Sequence, residues 1–104
     1  MFTVQKIKRR WNMEKQDDFI KMLGSKATRS ILQFLFKEEK ARYKQLQEFV
    51  NTHTLNTRIK ELLEYNLIQH HMVREETRKE WYEPTERGRK VLELLDELAN
   101  MVDC

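Results

Sequence analysis

Along most of this chain apolar side chains recur every three or four residues, the period of a helix with one buried face. Residues 2–11 set Phe2, Val4, Ile7 and Trp11 among Lys6, Lys8, Arg9 and Arg10, a mixture that fits an arm as well as a first helix. "NMEKQDDFIKML" reads as helical. Asn12 is its candidate cap, Phe19, Met22 and Leu23 fall at i, i+3 and i+4, and Gly24 is its stop. Ser25 is predicted to cap "KATRSILQFLF", where Ala27, Ile31, Leu32 and Leu35 make the buried stripe and Phe34 and Phe36 flank it. A charged "KEEK" comes next, then "ARY", long enough for a minimal strand. "KQLQEFV" predicts a short helix with Leu46, Phe49 and Val50 inward. "NTH" reads as a polar turn, and Thr54 as the cap of a helix running to about Tyr65. That helix has Leu55, Ile59, Leu62 and Leu63 on its apolar side. Asn66 comes after it, a residue that tolerates the left-handed conformation closing a helix. "LIQHHMVR" and "RKEWYE" predict two strands around "EET". Pro84 ends the second strand, and Thr85 caps a last helix, "ERGRKVLELLDELANMV". Val91, Leu95, Leu98 and Val102 are spaced 4, 3, 4, a coiled-coil-like seam that Leu92, Leu94 and Met101 widen.

Two short helices joined by a tight turn make a helix-turn-helix, and a hairpin directly after the second helix is a wing. The expected fold class is therefore mainly α with a small β-hairpin, a winged helix-turn-helix with a C-terminal dimerisation helix. Within one structural domain, residues 1–24 form an N-terminal basic arm and helix, 25–84 the winged core, and 85–104 the dimerisation helix.

Composition sharpens this picture. A chain of 104 residues is one domain with a modest core, often completed by a partner. The net charge is +3, compatible with nucleic acid without demanding it. Its distribution says more. Residues 1–30 hold eight Lys/Arg against three Asp/Glu, and residues 91–104 hold four Asp/Glu and no Lys/Arg. A polyanion would meet the front of the chain and avoid its tail. Two glycines and one proline imply short loops, and with 36% charged residues they hint at a thermophilic source. No apolar run approaches the length of a membrane span. "MFTVQKIKRRW" lacks the apolar core of a signal peptide, so a cytoplasmic protein is expected. Cys104 is the sole cysteine, which excludes an internal disulfide and a cysteine metal cluster. At the end of the last helix it fits a free terminal thiol or a bridge between two copies.

From Leu23 to Leu98 four motifs carry a resemblance. "LGSKATRSILQFL", "YKQLQEFV", "TLNTRIKELLEYNLI" and "WYEPTERGRKVLELL" succeed one another in order. They resemble the opening helix, supporting helix, reading helix and wing exit of winged helix-turn-helix transcription regulators of the MarR, ArsR, HxlR and PadR kind, archaeal ones especially. Asn66 stands where such regulators often have Gly. Pro84 replaces the usual apolar residue of their Y-x-L-T-x-x-G exit. Each motif alone is weak. Together they are specific for fold and much less so for target. The resemblance implies sequence-specific binding of double-stranded DNA, with residues 54–65 in a major groove and 67–83 as the wing.

The candidate chemistry lies on the helix over 54–65. Opposite Leu55, Ile59 and Leu62 stand His53, Thr57 and Lys60, with Asn56 beside them and Thr54 at the start. Short hydrogen-bonding side chains near a helix N-terminus suit base edges, Asn pairing with adenine and the Thr methyl meeting thymine. The alternative is an ordinary solvated face. Arg58 lies between the two faces, placed for a phosphate. Arg74, Arg78 and Lys79 are the wing's candidate DNA contacts, yet Glu75, Glu76 and Glu80 sit among them and fit a merely solvated hairpin equally well. Lys26, Arg29 and Lys44 are candidate backbone contacts, with plain surface solubility as the other reading. "KIKRRW" fits an arm on DNA or a packed helix with a charged outer face. His70 and His71 are adjacent in a strand and face opposite ways, so they cannot share one metal. Trp81 and Tyr82 read as packing between wing and core.

No Gly-rich phosphate loop, HExxH or Cys/His pair placed for nucleophilic catalysis is present, so neither an enzyme nor a cofactor or metal site is expected. The rival to a DNA reader is a winged helix that serves as a protein–protein interaction module, since fold does not fix function. The last helix predicts assembly. Val91, Leu94, Leu95, Leu98, Met101 and Val102 offer more apolar surface than one small domain can cover. A twofold homodimer, helped by the helix over 13–23, is the expected cover. Its two reading helices would face successive major grooves about 34 Å apart.

Overall fold

A computed structural model gives the fold of residues 2–103 and the side chains of residues 13–102. The elements are α1 (Phe2–Leu23), α2 (Lys26–Glu38), α3 (Tyr43–Gln47), α4 (Thr52–Glu64), β1 (Ile68–Arg74), β2 (Arg78–Pro84) and α5 (Glu86–Asn100), closed by one 3-10 turn over Met101–Asp103. Cys104 and its candidate disulfide lie outside the described residues, as do the side chains of "KIKRRW".

Residues 2–11 are helical and continuous with residues 12–23, so Asn12 sits inside α1 and does not cap it. Residues 13–18 are exposed, and among the described side chains of α1 those that reach the core are Phe19, Met22 and Leu23 near its end. Gly24 stops α1 and donates its N–H to Ile20 O at 3.0 Å.

α2 is the centre of the molecule. Ile31, Leu32 and Leu35 are fully buried, whereas Ala27 is half-buried at the margin. Thr28 is also buried, and its hydroxyl donates to Met22 Sδ at 3.5 Å, a contact that apolar periodicity does not announce. Ser25 holds the N-cap backbone position without a side-chain cap bond. α3 buries Leu46, and Val50 also turns inward. Phe49 departs from the expected inward set. It is 43% exposed and lies against the Phe34 ring with centroids 5.3 Å apart, because α3 ends at Gln47 and Phe49 falls in the turn beyond it.

α4 packs Leu55, Ile59 and Leu62 onto the core, while Leu63 turns out to solvent. The helix begins earlier than expected. Asn51 is its N-cap, and the Asn51 side chain accepts the Thr54 N–H at 2.9 Å. Thr54 is therefore the third residue of the helix rather than its cap. The cap preference alone could not choose between Asn51 and Thr54, and apolar periodicity beginning at Leu55 pointed to the wrong one. Asn66 closes α4 at φ 60, the left-handed turn expected of it.

β1 and β2 pair antiparallel from Ile68↔Pro84 to Arg74↔Arg78. "ARY" contributes a single bridge: Ala41 and Tyr82 exchange N–H···O bonds of 2.9 and 2.7 Å. Thr85 caps α5 as expected, accepting the Gly88 N–H at 3.0 Å, and its hydroxyl also donates to Asn66 O at 2.7 Å. Gly88 is required by close approach. A Cβ there would stand 2.1 Å from the Leu67 carbonyl oxygen, so α5 touches backbone where β1 begins. On α5, Leu92 belongs to the core rather than to the outer seam.

Candidate nucleic-acid interface

α3 and α4 are joined by residues 48–51 and cross-linked by side chains. Gln47 Nε2 donates to Thr52 Oγ1 at 3.3 Å, and the Tyr43 hydroxyl donates to Asn56 Oδ1. Starting α4 at Thr52 extends its outer face by almost a turn. That face carries Thr52, His53, Asn56, Thr57 and Lys60, all exposed, at spacings of a single helix side. Thr54 is half-buried and its N–H is occupied by Asn51, so of the expected reading residues it stands furthest back. Thr57 returns its hydroxyl hydrogen to His53 O at 3.1 Å. No acidic residue precedes Glu61 in α4. Thr52, Tyr43 and Gln47 are the members that sequence reasoning missed. The signal for Thr52 was Asn51, a strong cap residue three positions before Thr54.

The arginines are less available than expected. Arg58 NH1 is bound to Glu61 Oε1 at 2.7 Å, both side chains about a quarter exposed, so its charge is paired along its own helix. Arg29 pairs with Asp96 at 2.9 Å, joining α2 to α5. Arg78 pairs with Glu80 along β2 at 2.6 Å. Lys26, Lys44 and Lys60 are exposed.

The register divides the wing's cations between two faces. Arg74 and Arg78 are cross-strand partners at the tip, on the side of Glu80 and Tyr82, whereas Lys79 shares the other side with Trp81. The histidines do face opposite ways. His70 meets the Tyr82 ring and has Nε2 3.4 Å from Glu80 Oε1, while His71 stacks on Trp81 with Nε2 3.5 Å from Glu83 Oε2. Trp81 donates its indole N–H to Glu83 at 2.6 Å, and Lys40 lies over its ring. Tyr82 packs against the core as expected. Burial pushes its phenol pKa up, with the charge of Glu80 and then Tyr43 adding to the effect. Among the described residues no group of three or more His, Cys, Asp or Glu is arranged to hold a metal ion.

α1 and α5 line an apolar groove of about 550 Å³, with Phe19, Ile20, Leu23, Val91, Leu95 and Leu98 among its walls. Leu94, Leu98, Met101 and Val102 are exposed around it, and Ile20 is 64% exposed. Among the described residues no helix is long and apolar enough to cross a membrane.

The model of the HxlR-like helix-turn-helix family matches residues 22–104, from the end of α1 through α4, the wing and α5. The chain belongs to this family. HxlR is one of the four kinds of regulator that the sequence motifs resemble, and the winged helix-turn-helix fold expected from them is the fold observed. No curated protein sequence matches the chain significantly. Among solved structures, the reduced form of the transcriptional regulator YodB from B. subtilis is similar in fold. Its TM-score is 0.73 at 23% identity, over 86% of this chain and 89% of that one.

Proposed function

We propose that this protein is a transcriptional regulator that binds double-stranded DNA sequence-specifically as a homodimer. α4 lies in the major groove and the β1–β2 hairpin serves as the wing. The observation that carries this reading is the outer face of α4. Thr52, His53, Asn56, Thr57 and Lys60 are short or cationic, exposed, and free of acidic neighbours until Glu61. A helix built only for solubility would more readily use Glu, Lys and Ala there, since Thr, Asn and His are poorer helix formers. The family and the structural likeness to YodB support the same reading. The groove between α1 and α5 supports the dimer, because Ile20, Leu94, Leu98 and Met101 leave apolar side chains exposed along it that a second copy would cover. The charge of residues 91–104 would keep that face away from DNA.

A second reading, a module that binds another protein, is favoured by the wing. Arg78 is held by Glu80, and residues 68–84 carry three Lys/Arg against four Asp/Glu, so the hairpin has no net positive charge. Gel shifts on duplex DNA at two salt concentrations separate the readings. Neutralising phosphates releases counterions, so a DNA reader loses affinity steeply as salt rises. Absence of duplex binding at low salt would leave the interaction module.

A further inference from the structure

We propose that Tyr43 sets the base preference of α4 by holding Asn56 as a hydrogen-bond donor toward the groove, which directs Asn56 to guanine rather than adenine. This rests on the reading of α4 as the DNA-binding helix. Tyr43 lies on α3, half-buried, its ring packed against the core. Its hydroxyl is thereby fixed in place and donates to Asn56 Oδ1 across the helix-turn-helix.

The consequence concerns the amide. An asparagine that pairs with adenine uses both of its ends: Oδ1 accepts from the adenine N6 amino group while Nδ2 donates to N7. Here Oδ1 is turned back to the phenol. The outward end is Nδ2, which carries two N–H donors and no acceptor. Guanine offers N7 and O6, two acceptors side by side in the major groove. Two neighbours on the face strengthen this bias, while Thr57, whose hydroxyl hydrogen goes to His53 O, presents an acceptor. Lys60 brings only donors. Thr52 Oγ1 already accepts from Gln47, which leaves its hydroxyl hydrogen for a further acceptor. Removing the phenolic hydroxyl frees Oδ1, and the amide can then rotate to present the acceptor that adenine requires. Tyr43 is in this account a positioning residue. If its bond only braced two helices, losing it would lower affinity for every duplex alike and would not change which base is chosen.

The test is selection of bound sequences from random duplex with the wild type, Tyr43→Phe and Asn56→Ala, each checked for folding by thermal melting and for salt dependence of binding. The wild type should select guanine at one position per half-site, and guanine→adenine there should weaken its binding about tenfold. Tyr43→Phe should move that preference toward adenine with an unchanged salt slope, and Asn56→Ala should abolish it. A wild type that prefers adenine at the position lost in Asn56→Ala overturns the inference, and does so even if Tyr43→Phe fails to fold. So does a folded Tyr43→Phe that keeps the wild-type preference. A wild type that binds no duplex overturns the DNA-reading proposal first and this inference with it.

Discussion

Asn56 and Thr57 stand on the exposed side of α4, one turn after its start. Replacing either by Ala should cost specific DNA binding on the order of 1–3 kcal/mol. The melting temperature should barely move, because both side chains are exposed. Equal loss of affinity for specific and random duplex would assign them to the phosphate backbone instead. Gly88 is the opposite case. In an ordinary helix interior Gly→Ala stabilises by nearly 1 kcal/mol, but here the added Cβ meets the Leu67 carbonyl at 2.1 Å. Gly88→Ala should therefore destabilise by about 1–3 kcal/mol, as overpacking does, and lower the melting temperature. A neutral or stabilising result would mean that α5 does not approach β1 as described. The exposure of His53, Asn56, Thr57 and Lys60 was readable from their position opposite the apolar stripe. The ion pair of Arg58 was not, because a helix wheel shows where a side chain starts and not that it meets Glu61 one turn later.

At the scale of elements, the hairpin and the capped last helix arise directly from local chemistry. Strand-forming residues around "EET", Pro84 as a stop and Thr85 as a cap each act within a few residues of chain. The start of α4 and the lost inward place of Phe49 depend on where neighbouring helices end, which periodicity determines only to within a turn. The wing's role turns on charge. Arg74 makes no ion pair among the described residues, whereas Arg78 is held by Glu80. Arg74→Ala should weaken binding to all duplexes and flatten the salt dependence by about one unit. An unchanged slope would leave the wing in solvent. The junction of wing and core gives a pH signature through Tyr82, whose phenol is raised chiefly by burial. The folded state then holds this proton more tightly than the unfolded chain does. Its contribution to stability is present below the unfolded pKa of about 10 and is lost as pH rises through the higher folded value. In an alkaline absorbance titration, Tyr82→Phe should remove a phenol that ionises above the ordinary tyrosine range. Removal of one that ionises within that range would contradict the packing described.

At the scale of the whole molecule, two surfaces differ in chemistry. One is the polar face of α4. The other is the apolar groove between α1 and α5, beside an acidic tail. Val91, Leu95 and Leu98 were readable as a seam from their spacing alone. The contribution of Phe19, Ile20 and Leu23 to the same groove was clear only once α1 was placed beside α5, since packing between distant segments leaves no period in the sequence. Leu95→Glu with Leu98→Glu places two charges in that groove and should convert a dimer to a monomer in sedimentation, while leaving the buried Leu92 in the core. A wild type that already sediments as a monomer would contradict the dimer. The most direct test of the central proposal is footprinting of the wild type on a duplex enriched by selection. Two protected half-sites should appear, arranged as an inverted repeat with centres about 10 base pairs apart or a multiple of that. They should weaken steeply with salt, and the double glutamate variant should lose the symmetric protection. Failure to enrich any sequence, or one unrepeated protected site that the double variant retains, would contradict the proposal.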